Sequence, residues 1–136
     1  MVDIKFSQFF DRPGVAGKIK AATKKALSKF GAFVRTAARR SIRTRKKSST
    51  PGNPPSSHVG LLKKLIFFGY DNETETVLVG PHLLNGRSTS GAALLEFGGV
   101  GQVNGKRATY HRFPFMAPAL EGERDKFPGL FANAVK

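Results

Sequence analysis

From Val15 onward, apolar side chains return every third or fourth residue: Val15, Ile19, Ala22, Ala26, Phe30, Phe33 and Ala37, with Leu27 and Val34 widening the stripe. At 3.6 residues per turn this spacing predicts one long amphipathic helix over 13–43. Pro13 suits its first turn and Asp11 is a candidate cap. The spacing then breaks. Residues 44–59 carry Pro51, Pro54 and Pro55 among Ser, Thr, Gly and Asn, and read as an exposed, mobile basic loop. After Gly60, a helical turn is compatible with Leu61–Lys64, and Leu65–Tyr70 has the aromatic and branched composition of a strand. Asp71-Asn72-Glu73 is turn chemistry, with a partner strand over 74–80, so a hairpin is expected.

Further on, a short apolar segment (Ala92–Phe97) ends at Gly98-Gly99, and the glycine-rich stretch 98–105 reads as a flexible turn. Residues 108–115 read as a strand closed by Pro114. A final helix is expected from Pro118, with Leu120, Phe127, Leu130, Phe131 and Val135 as apolar positions and a break or kink at Pro128. Residues 1–12 form an N-terminal arm anchored by Phe6, Phe9 and Phe10. The expected fold is α+β in one domain (1–136): the helix packs on a small antiparallel sheet, and 60–136 hold the sheet and a C-terminal helix. No internal repeat is visible.

Charge adds what the hydropathy pattern leaves out. Residues 12–70 contain fifteen Lys and Arg and no carboxylate, so the net charge of +14 is concentrated there. A field of one sign opposes folding by self-repulsion, and an anionic partner would offset it. The plain alternative is a solvated, solubilising face. The helix also lacks the Glu at four-residue spacing that normally balances surface Lys. Candidates for facing DNA or an acidic partner are Lys24, Lys25, Arg35, Arg39, Arg43, Arg45, Lys46 and Lys47.

Twelve Phe and 40% hydrophobic residues argue for a folded chain rather than a basic tail. The absence of Cys excludes disulfides, thiolate metal sites and Cys nucleophiles. His58, His82 and His111 share no ligand spacing, the former two reading as loop and His111 as strand. Residues 98–105 match neither a dinucleotide fingerprint nor a phosphate-binding loop. Glu121, Glu123 and Asp125 read as an acidic face, and no nucleophile elbow is present. No enzyme, metal or cofactor is expected. No apolar run reaches the length of a membrane span, and Asp3, Lys5 and Asp11 interrupt any signal-like core, so a soluble chain without membrane contact is expected. Glu96 is the one acid inside an apolar segment and needs a partner, with Arg40, Arg107 and Arg112 as candidates.

Three phrases follow the helix in order: Pro51-Gly-Asn-Pro-Pro-Ser-Ser-His-Val-Gly-Leu-Leu62, Leu94-Leu-Glu-Phe-Gly-Gly99, and Arg112-Phe-Pro-Phe-Met-Ala-Pro-Ala-Leu120. The arrangement over residues 15–125 resembles the head–tail joining, or tail-completion, proteins of long-tailed bacteriophages. It departs from their Arg-Pro-Phe phrase by an inserted Phe113, and Pro128 is outside the pattern. The resemblance implies a structural virion protein in the neck, forming a ring, typically of six copies. Its partners would be the connector or adaptor on one side and the tail terminator or tail tube on the other. DNA in the channel, or an acidic neighbour, would meet the basic face. Implied interface residues are Phe6, Phe9, Phe10, Pro54, Pro55, Glu96, Phe97, Phe113 and Phe115. The competing reading is a free-standing basic nucleic-acid-binding module, against which stand the lack of aromatics between Arg35 and Lys47 and of a base-reading motif.

Overall fold

The computed structural model describes residues 11–82 and 90–136, with Ser90 and Val103 given by their backbone only; Phe6, Phe9 and Phe10 lie outside the described residues. The order is α1 (Arg12–Ser41), β1 (Arg43–Thr44), β2 (Ser56–Ser57), α2 (Leu61–Leu65), β3 (Ile66–Asp71), β4 (Thr76–Pro81), α3 (Ser90–Phe97), β5 (Gly99–Val103), β6 (Lys106–Tyr110), α4 (Met116–Glu123), a 3-10 turn (Arg124–Lys126) and α5 (Phe127–Val135). The chain is α+β, as its pattern predicts. The strands form two antiparallel hairpins, β3–β4 and β5–β6, and a two-residue parallel pair, β1–β2.

At the start of α1, Asp11 accepts a hydrogen bond from Gly14 N at 3.1 Å, and Pro13 occupies the first turn, where a missing N–H costs nothing. The helix stops at Ser41, two residues before the sequence predicts. Ile42 turns extended (φ −80°, ψ 114°) and is fully buried, so Arg43 belongs to β1 instead. Arg39 and Arg40 occupy the last turn, where their charge opposes the helix dipole.

The core joins Phe30, Val34, Ala38 and Ile42 to Ile66 of β3, Phe115 just before α4, and Ala119 on α4. Phe127 of α5 meets Phe30 edge to face at 5.4 Å. The β3–β4 hairpin lies against α1 at Gly31. A Cβ there would stand 2.6 Å from Val77 Cγ2 and 3.1 Å from Phe68 Cδ2, so glycine permits the close approach. The first turns of α1 overhang this body: residues 11–20 are all exposed, including Val15 and Ile19 at the head of the predicted stripe.

Several local readings change. The stretch 98–105 is strand and tight turn, with Asn104 (φ 51°) and Gly105 (φ 75°) at the left-handed corner of the β5–β6 hairpin. The strand expected over 108–115 ends at Tyr110, and His111 falls just past it. Pro128 does not kink a helix; it sits in the first turn of a new one, α5. The basic loop is tied down at three places: β1 pairs with β2, Gly52 N donates to the Arg112 carbonyl at 2.9 Å, and Pro55 is buried.

Candidate functional site

The three sequence phrases meet at one junction. Gly52 of the first bonds the carbonyl of Arg112 in the third, and Phe113 N–H of the third donates to the Leu95 carbonyl of the second. At its centre is Glu96, 9% exposed. Its carboxylate accepts from Phe115 N (2.9 Å), Met116 N (3.0 Å) and Ala117 N (2.8 Å). These are the unpaired amides at the start of α4, and Pro118, next in line, has no N–H to satisfy. No side chain at α4's own N-cap does this work. The partner of Glu96 is therefore backbone, not Arg40, Arg107 or Arg112. Helix amides and dipole supply the positive end that a buried carboxylate requires.

This corrects three interface candidates. Glu96 is consumed inside the chain, Phe115 is 1% exposed in the core, and Pro55 is buried beneath the loop. Pro54 and Phe113 are half-buried, whereas Phe97 is 78% exposed. Phe97 lies on the wall of an open groove of about 1030 Å³. Leu27, Phe30 and Val34 of α1 form its floor, with Val77–Val79 of β4 on one side and Met116, Leu120 and Phe127 on another. Leu78 (69%) and Leu120 (45%) are also exposed there. Glu121 and Asp125 stand on the rim beside Arg124, which is 3.7 Å from Glu121.

The cationic candidates separate into two sets. Arg35 is half-buried: its Nε donates to the Ile66 carbonyl at 2.8 Å, and its guanidinium lies 5.7 Å from the Phe67 ring centre. Lys24 Nζ donates to Asn72 Oδ1 at 3.0 Å and sits over Tyr70. Both side chains help hold the β3–β4 hairpin on α1; Arg35 is thereby turned inward, against the expectation that it faces an outside partner, whereas Lys24 stays exposed. Lys20 adds an exposed ion pair with Glu75 at 3.4 Å. The hairpin turn is held by Asp71, whose carboxylate accepts from Thr74 Oγ1 (2.7 Å) and Glu73 N (2.9 Å). Those bonds, the Thr74 hydroxyl first, hold its carboxyl below the ordinary value.

Lys25, Arg43, Arg45, Lys46 and Lys47 remain exposed, and Arg39 is half-exposed. Arg43 and Arg45 converge with Arg40 on a polar cavity of about 450 Å³, completed by Ser49, Thr50 and Asn53 of the tied-down loop. Periodicity and charge do not single out Arg40 as partner-facing. Its position three residues before Arg43, at the end of the cationic helix, is the signal that could have found it.

Among the described residues no group of three His, Asp or Glu side chains is placed to hold a metal ion, and no helix is long and apolar enough to cross a membrane. No known protein family, curated protein or solved structure matches the chain.

Proposed function

We propose that this chain is a structural subunit of a bacteriophage neck, assembling with copies of itself into a ring between the head connector and the tail. The observation that carries the reading is the open apolar groove. It is an open cavity of about 1030 Å³ whose lining is mostly apolar and whose edge carries the exposed side chains of Phe97 and Leu78, a shape and chemistry suited to receiving an apolar element of a neighbouring subunit. A ring needs two different surfaces per subunit, joined head to tail. The groove supplies one. The overhanging start of α1, with Val15 and Ile19 exposed, supplies an apolar counterpart at a distance from it. The three phrases converge on the Glu96 junction, so these residues together build the body that presents the groove.

In that setting the cationic surface at the end of α1 faces DNA in transit or an acidic neighbour, and neither contact requires reading of base sequence. Native mass spectrometry and electron microscopy of the purified chain, alone and with connector-bearing heads, test the proposal. A closed ring or saturable recruitment to heads is expected. A chain that stays monomeric with connector and tail tube both present would refute it.

The second reading, a free-standing nucleic-acid-binding module, draws on the arginine-lined cavity. It requires tight, steeply salt-dependent DNA binding by the isolated monomer. Negligible binding at physiological salt removes it.

A further inference from the structure

Arg40, Arg43 and Arg45 border one concavity, and among the described residues no carboxylate lies within ion-pair distance of any of them. The ion pairs among the described residues join Lys20 to Glu75, Arg124 to Glu121 and Lys126 to Glu123. The negative end that the described residues do place nearby is the carbonyl end of α1, equivalent to about half an elementary charge. Three guanidiniums outweigh it several-fold. Like charges placed together without a counter-ion raise the energy of the folded chain, and an anion in the cavity would remove that cost.

The cavity is also ordered from within. Arg45 donates through Nε to Ser56 Oγ at 2.9 Å and through Nη2 to Ser49 Oγ at 3.4 Å, and the two serine hydroxyls are bonded to each other at 2.7 Å. Arg45 is therefore held in place rather than free in solvent. Asn53 Nδ2 donates to Thr50 Oγ1 at 3.2 Å, so the Thr50 hydroxyl proton remains available to an incoming oxygen. The fixed Arg45 fork beside hydroxyl donors, with two further guanidiniums at the edge, suits a tetrahedral oxyanion better than lysines on flexible stems would.

We infer that this cavity is a phosphate site that grips the backbone of a nucleic acid strand. An acidic peptide is the less suitable occupant. Pro54 is the one apolar residue in the lining, so a peptide would bury little apolar surface, whereas a phosphodiester needs none. Exposed Lys46 and Lys47 follow Arg45 directly and extend the positive surface along which further phosphates can lie. The inference names the ligand of the cationic surface and does not depend on ring formation.

The test measures binding of a short fluorescent DNA duplex to the full chain by anisotropy, from about 50 to about 200 mM salt. Each lost phosphate contact lowers the slope of log K against log salt by about 0.9. The variant Arg40→Ala/Arg43→Ala/Arg45→Ala is expected to lower it by about 2 to 3. A control removing the same charge elsewhere, Lys106→Ala/Arg107→Ala/Lys136→Ala, is expected to lower it by less than about 1. The conservative Arg45→Lys keeps the charge and loses the fork, so it should weaken binding while leaving the slope nearly unchanged. Circular dichroism checks that each variant is folded, and Arg45→Lys provides the reading should the triple variant unfold. Equal slopes for the triple variant and the control would overturn the site. Polyglutamate of matching charge binding as tightly as DNA, with the same dependence on the three arginines, would overturn its assignment to nucleic acid. Oligomeric state is read in parallel. A monomer retaining the arginine-dependent slope leaves the site standing while the ring reading falls, and a ring whose slope ignores the arginines overturns the site alone.

Discussion

Removing the carboxylate of Glu96 should cost more than any other single polar change in the described structure. In Glu96→Ala, the amides of Phe115, Met116 and Ala117 lose their acceptor, and Phe115 N lies in a buried environment. A hydrogen bond to a charged group contributes about 1.5–3 kcal/mol, and an orphaned buried donor costs about 1–3 kcal/mol. Water can reach the two part-buried amides and recover some of this, so the full sum is an upper limit. Loss of about 3–5 kcal/mol is expected, a large fraction of a typical domain's stability of about 5–15 kcal/mol. Glu96→Gln keeps size and one oxygen but turns an amide NH2 toward backbone donors, and about 2–3 kcal/mol should be lost. Urea denaturation monitored by far-ultraviolet circular dichroism measures both, and the m-value checks that two-state behaviour persists. If Glu96→Ala costs less than about 1 kcal/mol, the junction is not what holds α4, and the reasoning fails.

Gly31→Ala gains up to about 1 kcal/mol of helix propensity but places a methyl against Val77 and Phe68, where overpacking costs about 1–3 kcal/mol. A net loss is expected, smaller when combined with Val77→Ala, and a double-mutant cycle by denaturation reads the coupling. Phe97→Ser with Leu78→Ser should leave monomer stability within about 0.5 kcal/mol per site and abolish self-assembly in native mass spectra. Unaltered assembly would remove the groove from the proposed interface. For Asp71, the folded-state pKa is lowered, so its contribution to stability is present above the ordinary value of 3.8 and is lost as pH falls through the lower folded value. Thermal unfolding of Asp71→Asn should therefore converge with that of the unsubstituted chain below pH 3.8, and a gap that widens there would contradict the assignment.

Much of the fold was legible because it depends on local rules. The three-and-four spacing located α1, and Asp11 with Pro13 located its start to within a residue. The aromatic and branched run before Asp71 located the β3–β4 hairpin. Other features depend on partners far along the chain. Nothing local in Leu94–Gly99 indicates that Glu96 will meet amides some twenty residues later, so an arginine was the natural expectation. The stop of α1 at Ser41 follows from the burial of Ile42 against Ile66 and Phe115, a tertiary demand that overrides propensity. Pro128 looks like a break in one helix because the 3-10 turn before it leaves no clear mark in the pattern. At the cationic surface the charges are plain from the residue types, but their allegiance is not. Arg35 and Lys24 turn to the hairpin, while Arg40 joins Arg43 and Arg45 across a helix end that periodicity had placed two residues later.

The core that joins Phe30–Ile42 to Phe115 and Ala119 also sets a timetable for biosynthesis. The two hairpins and α1 can form from neighbouring residues as they leave the ribosome. The apolar side of α1, however, gains its C-terminal cover only after the chain has grown by a further eighty or so residues. At about 5–20 residues per second, that side waits on the order of 4–16 seconds beside water and other nascent chains. During this interval the dense positive charge of residues 12–70 keeps the unfinished chains apart by mutual repulsion. The same arginines and lysines thus have a use before the fold is complete, in keeping unfinished chains apart.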